Sequence, residues 1–149
     1  MRVNHGEEVV NHILIIAHQP LASALRACAL HVFPELASCI TAFDVPCEQA
    51  REVSYAQAQA MLPAGQEVLI CTDVCGATPF NIAQDLANAN GCELLTGANV
   101  PMVVRGLGYS HESMSKMVAK ATEGARQGIM QIEASAPPPC ASEFAGLHI

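Results

Sequence analysis

The chain has 149 residues, of which 51% are hydrophobic and 14% are charged, and its formal charge is −7 at neutral pH. This composition is typical of one compact domain and excludes a disordered chain. The seven basic residues are scattered, so no run of them could neutralise successive phosphates, and nucleic acid is not an expected partner.

Short apolar runs alternate with amphipathic segments along the chain. Residues 12–17, with the sequence HILIIA, form an apolar run typical of a strand buried on both faces. The segment that begins at Pro20 repeats apolar side chains at helical spacing. The predicted strands, in chain order, are 12–17, 39–45, 67–72, 93–96 and 129–133. The predicted helices are 20–33, 54–62, 79–88, 101–107 and 112–126.

The alternation of strands and helices predicts right-handed crossovers and a mainly parallel sheet with helices on both faces. We expect a single doubly wound α/β domain over residues 1–133. Its strand order should be 2-1-3-4, with residues 129–133 adding a C-terminal edge strand. Residues 134–149 contain three consecutive prolines, which predict a tail outside the domain.

Polar residues follow the first and third predicted strands. His18 comes directly after the first strand, and Asp73 comes directly after the third. In an open sheet of this order, ligands bind in the crevice at the carboxyl ends of strands 1 and 3. We therefore expect His18 and Asp73 to face each other there. Asp73 would bond one ring nitrogen, so that the other presents its lone pair.

The segment after Asp73 is suited to hold an anion. Gly76 and Ala77 are small, so backbone N–H groups can approach an anion closely, and Thr78 is the predicted N-cap of the third helix. The helix N-terminus adds partial positive charge. An imidazole, a carboxylate and an anion pocket together predict phosphoryl transfer to His18. Gly76, Ala77 and Thr78 would then hold the phosphoryl oxygens.

Three sequence motifs occur in order along the chain. They are ILIIAHQPLASAL at residues 13–25, VLICTDVCGATPFNIA at residues 68–83 and TGANVPMVVRGLGY at residues 96–109. Together they resemble the signatures of the mannose/fructose/sorbose-type IIA components of the sugar phosphotransferase system (PTS). The likeness covers roughly residues 11–133.

The resemblance implies a phosphohistidine at His18, with Asp73 and Thr78 as supporting residues. It implies HPr or its nitrogen-branch relative as phosphoryl donor, and a IIB component or a regulatory target as acceptor. It also implies a homodimer that exchanges the last strand, residues 129–133. We expect neither a cofactor nor a metal. The family often has glycine after its active histidine, whereas Gln19 follows His18 here.

Other interpretations stay open. A phosphocarrier subunit of a dihydroxyacetone-kinase relay would use the same histidine and pass the phosphoryl group to a nucleotide bound on another subunit. A non-catalytic regulatory module would keep the fold and bind a partner. A metal or redox centre could use Cys71, Cys75 and His18, although the spacing of these cysteines is poor for either chemistry.

The N-terminus and the cysteines bear on the cellular compartment of the protein. Residues 1–8 contain two glutamates and no apolar core of the kind that a signal peptide has. The seven cysteines are odd in number and include no CxxC pair. No apolar run approaches the roughly 20 residues that span a bilayer. We expect a cytoplasmic protein with reduced thiols and no membrane insertion.

Overall fold

A central parallel sheet forms from the apolar runs in the computed structural model, which describes residues 9–135. The strands of this part of the chain are β1 (His12–His18), β2 (Ile40–Val45), β3 (Val68–Thr72) and β4 (Glu93–Thr96). The α-helices are α1 (Leu21–Val32), α2 (Arg51–Ala60), α3 (Thr78–Asn90), α4 (Val100–Gly108) and α5 (Met114–Gln127). A 3₁₀-helix, Pro34–Cys39, connects α1 to β2. None of the helices within residues 9–135 is long and apolar enough to cross a membrane.

The sheet has the order β2-β1-β3-β4, and every pair of neighbouring strands is parallel. β1 lies inside the sheet, where Ile16 is paired with Phe43 of β2 and with Thr72 of β3. Parallel neighbours need crossover connections, which the helices between the strands supply. The predicted α/β fold and the predicted strand order 2-1-3-4 are therefore confirmed.

Helices cover both faces of the sheet, and the side chains of β1 alternate between the faces. Ile13 and Ile15 are fully buried in a cluster that includes residues of α1, α4 and α5. Leu14 and Ile16 are fully buried in a second cluster, with residues of α2 and α3. A strand buried on both faces needs apolar side chains at successive positions. This requirement explains the continuous apolar run of β1.

The predicted C-terminal edge strand does not form within the described chain. Residues 129–133 follow the end of α5 and belong to no strand. Ile129 is 81% exposed, and Ile132 is 53% exposed. A strand needs a backbone partner, and these residues do not pair with β4, the outer strand on that side of the sheet. The exchange of this segment between subunits stays a prediction, and most of the predicted tail, from residue 136 on, lies outside the described residues.

The start of α2 and the connection between α1 and β2 differ most from the sequence-based expectation. α2 begins at Arg51 instead of residue 54, so Glu52 lies in its first turn, near the positive end of the helix. Ser54 is buried within that helix, and its hydroxyl donates to Oε1 of Gln49 at 2.9 Å. The pattern also did not predict the 3₁₀-helix that starts at Pro34. Neither difference alters the predicted strand order of the sheet.

α4 and α5 pack closely enough to require glycine at their contact. A Cβ atom placed on Gly124 would lie 2.7 Å from Cβ of Arg105 and 3.0 Å from the carbonyl oxygen of Pro101. A Cβ atom placed on Gly128 would lie 2.5 Å from Cγ of Pro101. The backbone of α4 forms part of this contact, so a side-chain rotation alone does not relieve it. The small residues on α5 thus fix the distance between the two helices.

Replacement of Gly124 by alanine is expected to lower the free energy of unfolding by about 1–3 kcal/mol, the usual cost of overpacking. The gain in helix propensity from glycine to alanine offsets at most about 1 kcal/mol of the loss. Urea unfolding followed by circular dichroism measures the change. Arg126→Ala, on the exposed side of the same helix, is the control and should change stability by less than about 0.5 kcal/mol. Equal stability of Gly124→Ala and the parent chain would contradict the close packing.

Candidate active site

The carboxyl ends of β1 and β3 bring His18 and Asp73 together. His18 is the last residue of β1, and Asp73 directly follows β3. Nδ1 of His18 lies 2.7 Å from Oδ2 of Asp73, and the same oxygen accepts the backbone N–H of His18 at 2.9 Å. Oδ1 of Asp73 accepts the backbone N–H of Val74 at 2.8 Å. Asp73 therefore holds both the main chain and the ring of His18.

The two side chains differ in their exposure. The side chain of Asp73 is 7% exposed, whereas that of His18 is 50% exposed. Burial of the Asp73 carboxyl group opposes its ionisation, but the hydrogen bonds from His18 and Val74 outweigh burial, and the pKa of Asp73 lies below its ordinary value. The carboxylate is therefore ionised at neutral pH and acts as a hydrogen-bond acceptor.

This contact determines which ring nitrogen of His18 is free. A carboxylate can only accept, so in the neutral ring Nδ1 carries the proton and Nε2 carries the lone pair. Within residues 9–135, Nε2 has no hydrogen-bond partner, and the ring is half exposed. Asp73 therefore fixes the orientation of the ring and leaves Nε2 accessible, which is an arrangement that can support nucleophilic attack by Nε2.

The turn before α3 lies on the same side of the sheet as the His18 ring. Side chains alternate along a strand, so His18 points to the side of Leu14 and Ile16, against which α3 packs. Gly76 has φ +90°, a left-handed conformation that favours glycine, and a Cβ atom there would meet nothing within 4 Å. An anion beside His18 could therefore approach the backbone of this turn.

The predicted N-cap of α3 needs correction. Ala77 occupies the N-cap position, with φ −79° and ψ 168°, and Thr78 is the first helical residue. No side chain caps this end, because Ala77 has no acceptor in its side chain and Thr78 is already past the N-cap position. The first-turn amides of α3 consequently keep their capacity to bind an anion.

The other histidines within residues 9–135 have different surroundings. His12 is buried at the amino end of β1, with Nε2 3.0 Å from Oγ1 of Thr41. Burial, and then the positive charge of Arg26, lowers the pKa of His12 and favours its neutral form. His31 and His111 are exposed and have no hydrogen-bond partner in this part of the chain. None of the three combines exposure with a carboxylate partner.

The metal or redox interpretation finds no support in the two cysteines on which it depended. Cys71 is buried inside β3, and burial raises the pKa of its thiol to about 12. Cys75 is exposed on the following loop. A buried, protonated thiol is neither a good nucleophile nor a good metal ligand. Residues 9–135 also contain no group of three histidine, cysteine or acidic side chains placed to hold a metal ion.

One polar contact beside the site was not predicted from the sequence. Asp44, the residue before the last in β2, is paired with Ala17, which directly precedes His18. The Asp44 carboxylate accepts hydrogen bonds from the backbone N–H and from the hydroxyl of Ser23, in the first turn of α1. The sequence contains one indication of this contact. Pro20 occupies the N-cap of α1 and has no acceptor in its side chain, so another residue has to supply one. The sequence does not reveal which distant residue supplies that acceptor.

The chain matches one protein family, and several solved structures share its fold. Residues 12–122 match the family described as PTS system fructose IIA component. No curated protein sequence matches the chain.

A mannose/sorbose-specific IIA subunit from Enterococcus faecalis superposes with a TM-score of 0.77 at 18% identity, over 86% of this chain and 98% of that one. Component EIIA from Streptococcus agalactiae gives 0.72 at 19% identity, over 80% and 95%. A PTS IIA protein associated with the fucose utilization operon of Streptococcus pneumoniae gives 0.69 at 19% identity, over 82% and 93%. At these identities the likeness concerns the fold.

Proposed function

The chain belongs to the PTS fructose IIA component family, and on that basis we propose that it carries a phosphoryl group on Nε2 of His18. The observation that supports this assignment most directly is the 2.7 Å contact between Nδ1 of His18 and the Asp73 carboxylate, which leaves Nε2 exposed. A PTS IIA component has a phosphotransfer role, and His18 has the geometry of a phosphoryl acceptor. The proposed donor is HPr or its nitrogen-branch relative, in the cytoplasm.

The proposed transfer needs one nucleophile and one site for the anion. The Nε2 lone pair attacks the phosphorus atom of the donor phosphohistidine while the donor's N–P bond breaks, so the new N–P bond forms on His18. The Nδ1 proton stays on the ring, where Asp73 stabilises the positive charge that develops. Backbone amides at Gly76 and Thr78 stabilise the phosphoryl oxygens. The expected contribution of Ala77 needs correction, because its N–H already donates to the carbonyl oxygen of Val74 at 3.2 Å.

The second half of the cycle is the same reaction with the roles exchanged. A nucleophile of a IIB component, or of a regulatory target, attacks the phosphorus atom, and the N–P bond to His18 breaks. The lone pair returns to Nε2, and the proton remains on Nδ1, beside Asp73, as in the starting state. Because the phosphoryl group arrives on the donor and leaves on the acceptor, the chain itself needs no nucleotide as a phosphoryl source.

Incubation with phosphoenolpyruvate, enzyme I and HPr tests the proposal. Intact-mass analysis should show one added phosphoryl group, and a phosphoramidate on histidine should be lost in acid and retained in base. Peptide mapping should place it on His18. A folded chain that takes no phosphoryl group from phosphorylated HPr or from its nitrogen-branch relative would contradict the proposal.

We further propose that the chain forms a homodimer in which residues 129–133 add to the free edge of the partner's β4. Three apolar side chains in this segment, Ile129, Met130 and Ile132, are 81%, 45% and 53% exposed in the single chain. Within residues 9–135, β4 pairs only with β3, so one of its edges is free. Apolar side chains and an unpaired strand edge are both liabilities that strand exchange would remove.

The double variant Ile129→Glu/Ile132→Glu is expected to be monomeric at concentrations at which the parent chain is a dimer. Each glutamate would place a charge in the exchanged interface, where burial without a partner is unfavourable. Analytical ultracentrifugation measures the change. Val53→Glu, at a 46% exposed site on α2, is the control and should stay dimeric. A monomeric parent chain, or a double variant that dimerises equally well, would exclude the exchange.

A further inference from the structure

The carboxylate of Asp44, in β2, caps the N-terminus of α1. The helix begins at Leu21, and its N-cap, Pro20, makes no side-chain hydrogen bond. A helix leaves its first amides without intrahelical partners. Oδ1 of Asp44 accepts the N–H of Ser23 at 3.0 Å, and Oδ2 accepts the Ser23 hydroxyl. Asp44 therefore supplies the cap that Pro20 lacks.

The same end of β2 also holds the residue that follows His18. Val45 is paired with His18, and its carbonyl oxygen accepts the backbone N–H of Gln19 at 3.3 Å. Asp44 and Val45 together thus fix the segment between β1 and α1 from the β2 side. Asp73 fixes His18 from the β3 side.

Two helix N-termini follow the strands that carry the site, and they differ in charge. Either end could attract an anion through its partial positive charge and its free amides. At α1, the Asp44 carboxylate already occupies this position. At α3, the N-cap is Ala77, and within residues 9–135 no carboxylate bonds to the first turn. The His18 ring points to the α3 side of the sheet.

We propose that Asp44 is a positioning residue that fills the anion-binding end of α1 with an internal carboxylate and so directs the phosphoryl group on His18 to the α3 end alone. The inference depends on the proposed phosphorylation of His18. A carboxylate at α1 competes with a second anion for the same donors, and it repels that anion. It also raises the free energy of the phosphorylated state, which keeps the phosphoryl group transferable.

Titration with inorganic phosphate, followed by backbone amide NMR, tests where the anion binds. In the parent chain, shifts should be confined to His18 and residues 76–78. In Asp44→Ala, the amides of residues 21–23 should shift as well, because the carboxylate that accepts the Ser23 N–H and repels a second anion is gone. Ser23→Ala is the matched control: it keeps the carboxylate and the Ser23 N–H, so residues 21–23 should not respond. Phosphate shifts at residues 21–23 in the parent chain, or their absence in Asp44→Ala, would overturn the proposal.

A second variant separates charge from structure. Asp44→Asn retains an oxygen acceptor for the Ser23 N–H and removes the charge, and it remains informative if Asp44→Ala fails to fold. At equilibrium with phosphorylated HPr or its nitrogen-branch relative, its ratio of phosphorylated to free protein should be about two- to fivefold larger than that of the parent chain, the order of effect expected for one like charge near a protein surface. A merely structural role for Asp44 would not increase this ratio, and an unchanged or smaller ratio would overturn the proposal.

The two measurements also separate this proposal from the one on which it rests. A parent chain that takes no phosphoryl group would contradict the assignment of His18. The phosphate titration would still show whether Asp44 closes the end of α1, because it needs no donor protein. Phosphorylation of the parent chain with no effect of Asp44→Asn would contradict only the role of Asp44.

Discussion

Replacement of His18 by alanine is expected to abolish phosphoryl acceptance, because no other histidine within residues 9–135 combines exposure with a carboxylate partner. The loss should be complete within the detection limit of intact-mass analysis. The fold should persist, because the His18 side chain is half exposed and packs in neither hydrophobic cluster. The measurement is phosphoenolpyruvate-dependent labelling through enzyme I and HPr, with circular dichroism to verify the fold.

Two matched variants control for nonspecific labelling of histidine. His31→Ala and His111→Ala each remove an exposed histidine that has no hydrogen-bond partner within residues 9–135. Both should be phosphorylated at the rate of the parent chain. Labelling that persists in His18→Ala, or that disappears in either control, would place the phosphoryl group on another residue.

Asp73→Asn is expected to slow phosphoryl acceptance by about 10²–10⁴-fold, by analogy with the carboxylate that orients a catalytic histidine in serine proteases. Each orientation of the new amide conflicts with the site. One carboxylate oxygen accepts two N–H groups of His18, and the other accepts the N–H of Val74. An amide must point its NH₂ group at one of these donors. When the NH₂ group points at Nδ1 of His18, Nδ1 has to accept. The ring then carries its proton on Nε2, which is no longer nucleophilic.

Rapid-quench measurement of the transfer rate tests this prediction. Asp85→Asn is the control: Asp85 is 52% exposed and forms a surface ion pair with Arg51, so its loss should leave the rate unchanged. A rate in Asp73→Asn within threefold of the parent rate would show that Asp73 has only a structural role.

The same substitution should change how stability depends on pH. The pKa of Asp73 is lower in the folded chain than in the unfolded chain, so the unfolded state binds more protons between the two values. The stabilisation by the carboxylate is therefore complete above the unfolded pKa of about 3.9, and it is lost as the pH falls through the folded pKa. The difference in unfolding free energy between the parent chain and Asp73→Asn should shrink below about pH 4. Acid titration of urea unfolding measures it.

The parts of the fold that the sequence predicted are those determined by local periodicity. The apolar run of β1 is continuous because helices cover both of its faces, and a run of this kind is typical of a strand inside a parallel sheet. The positions of His18 and Asp73 followed from the same logic, since parallel strands end at one edge of the sheet. Strand order and polarity were enough to place these two residues near each other.

The parts that the sequence did not predict depend on contacts between distant residues. Asp44 and Ser23 are 21 positions apart, and neither carries a signature of their contact. Threonine is a common N-cap residue, yet Thr78 is the first helical residue because Ala77 takes the extended backbone conformation of the N-cap. Residues 129–133 have the composition of a strand, yet they pair with no strand of the described chain. Such features depend on tertiary geometry, which overrides local propensity.

On the proposed function, the position of His18 at the end of a central strand has a consequence for the speed of phosphoryl transfer. Its main chain is held by Val45 and Asp73, so the reactive nitrogen is in place before a partner arrives. Little rearrangement of this chain would then be needed on encounter, which favours fast association. Because the chain carries a formal charge of −7, collisions with a basic partner would be accelerated at low ionic strength and slowed by salt. Such a carrier can serve many encounters through brief collisions, without long-lived complexes.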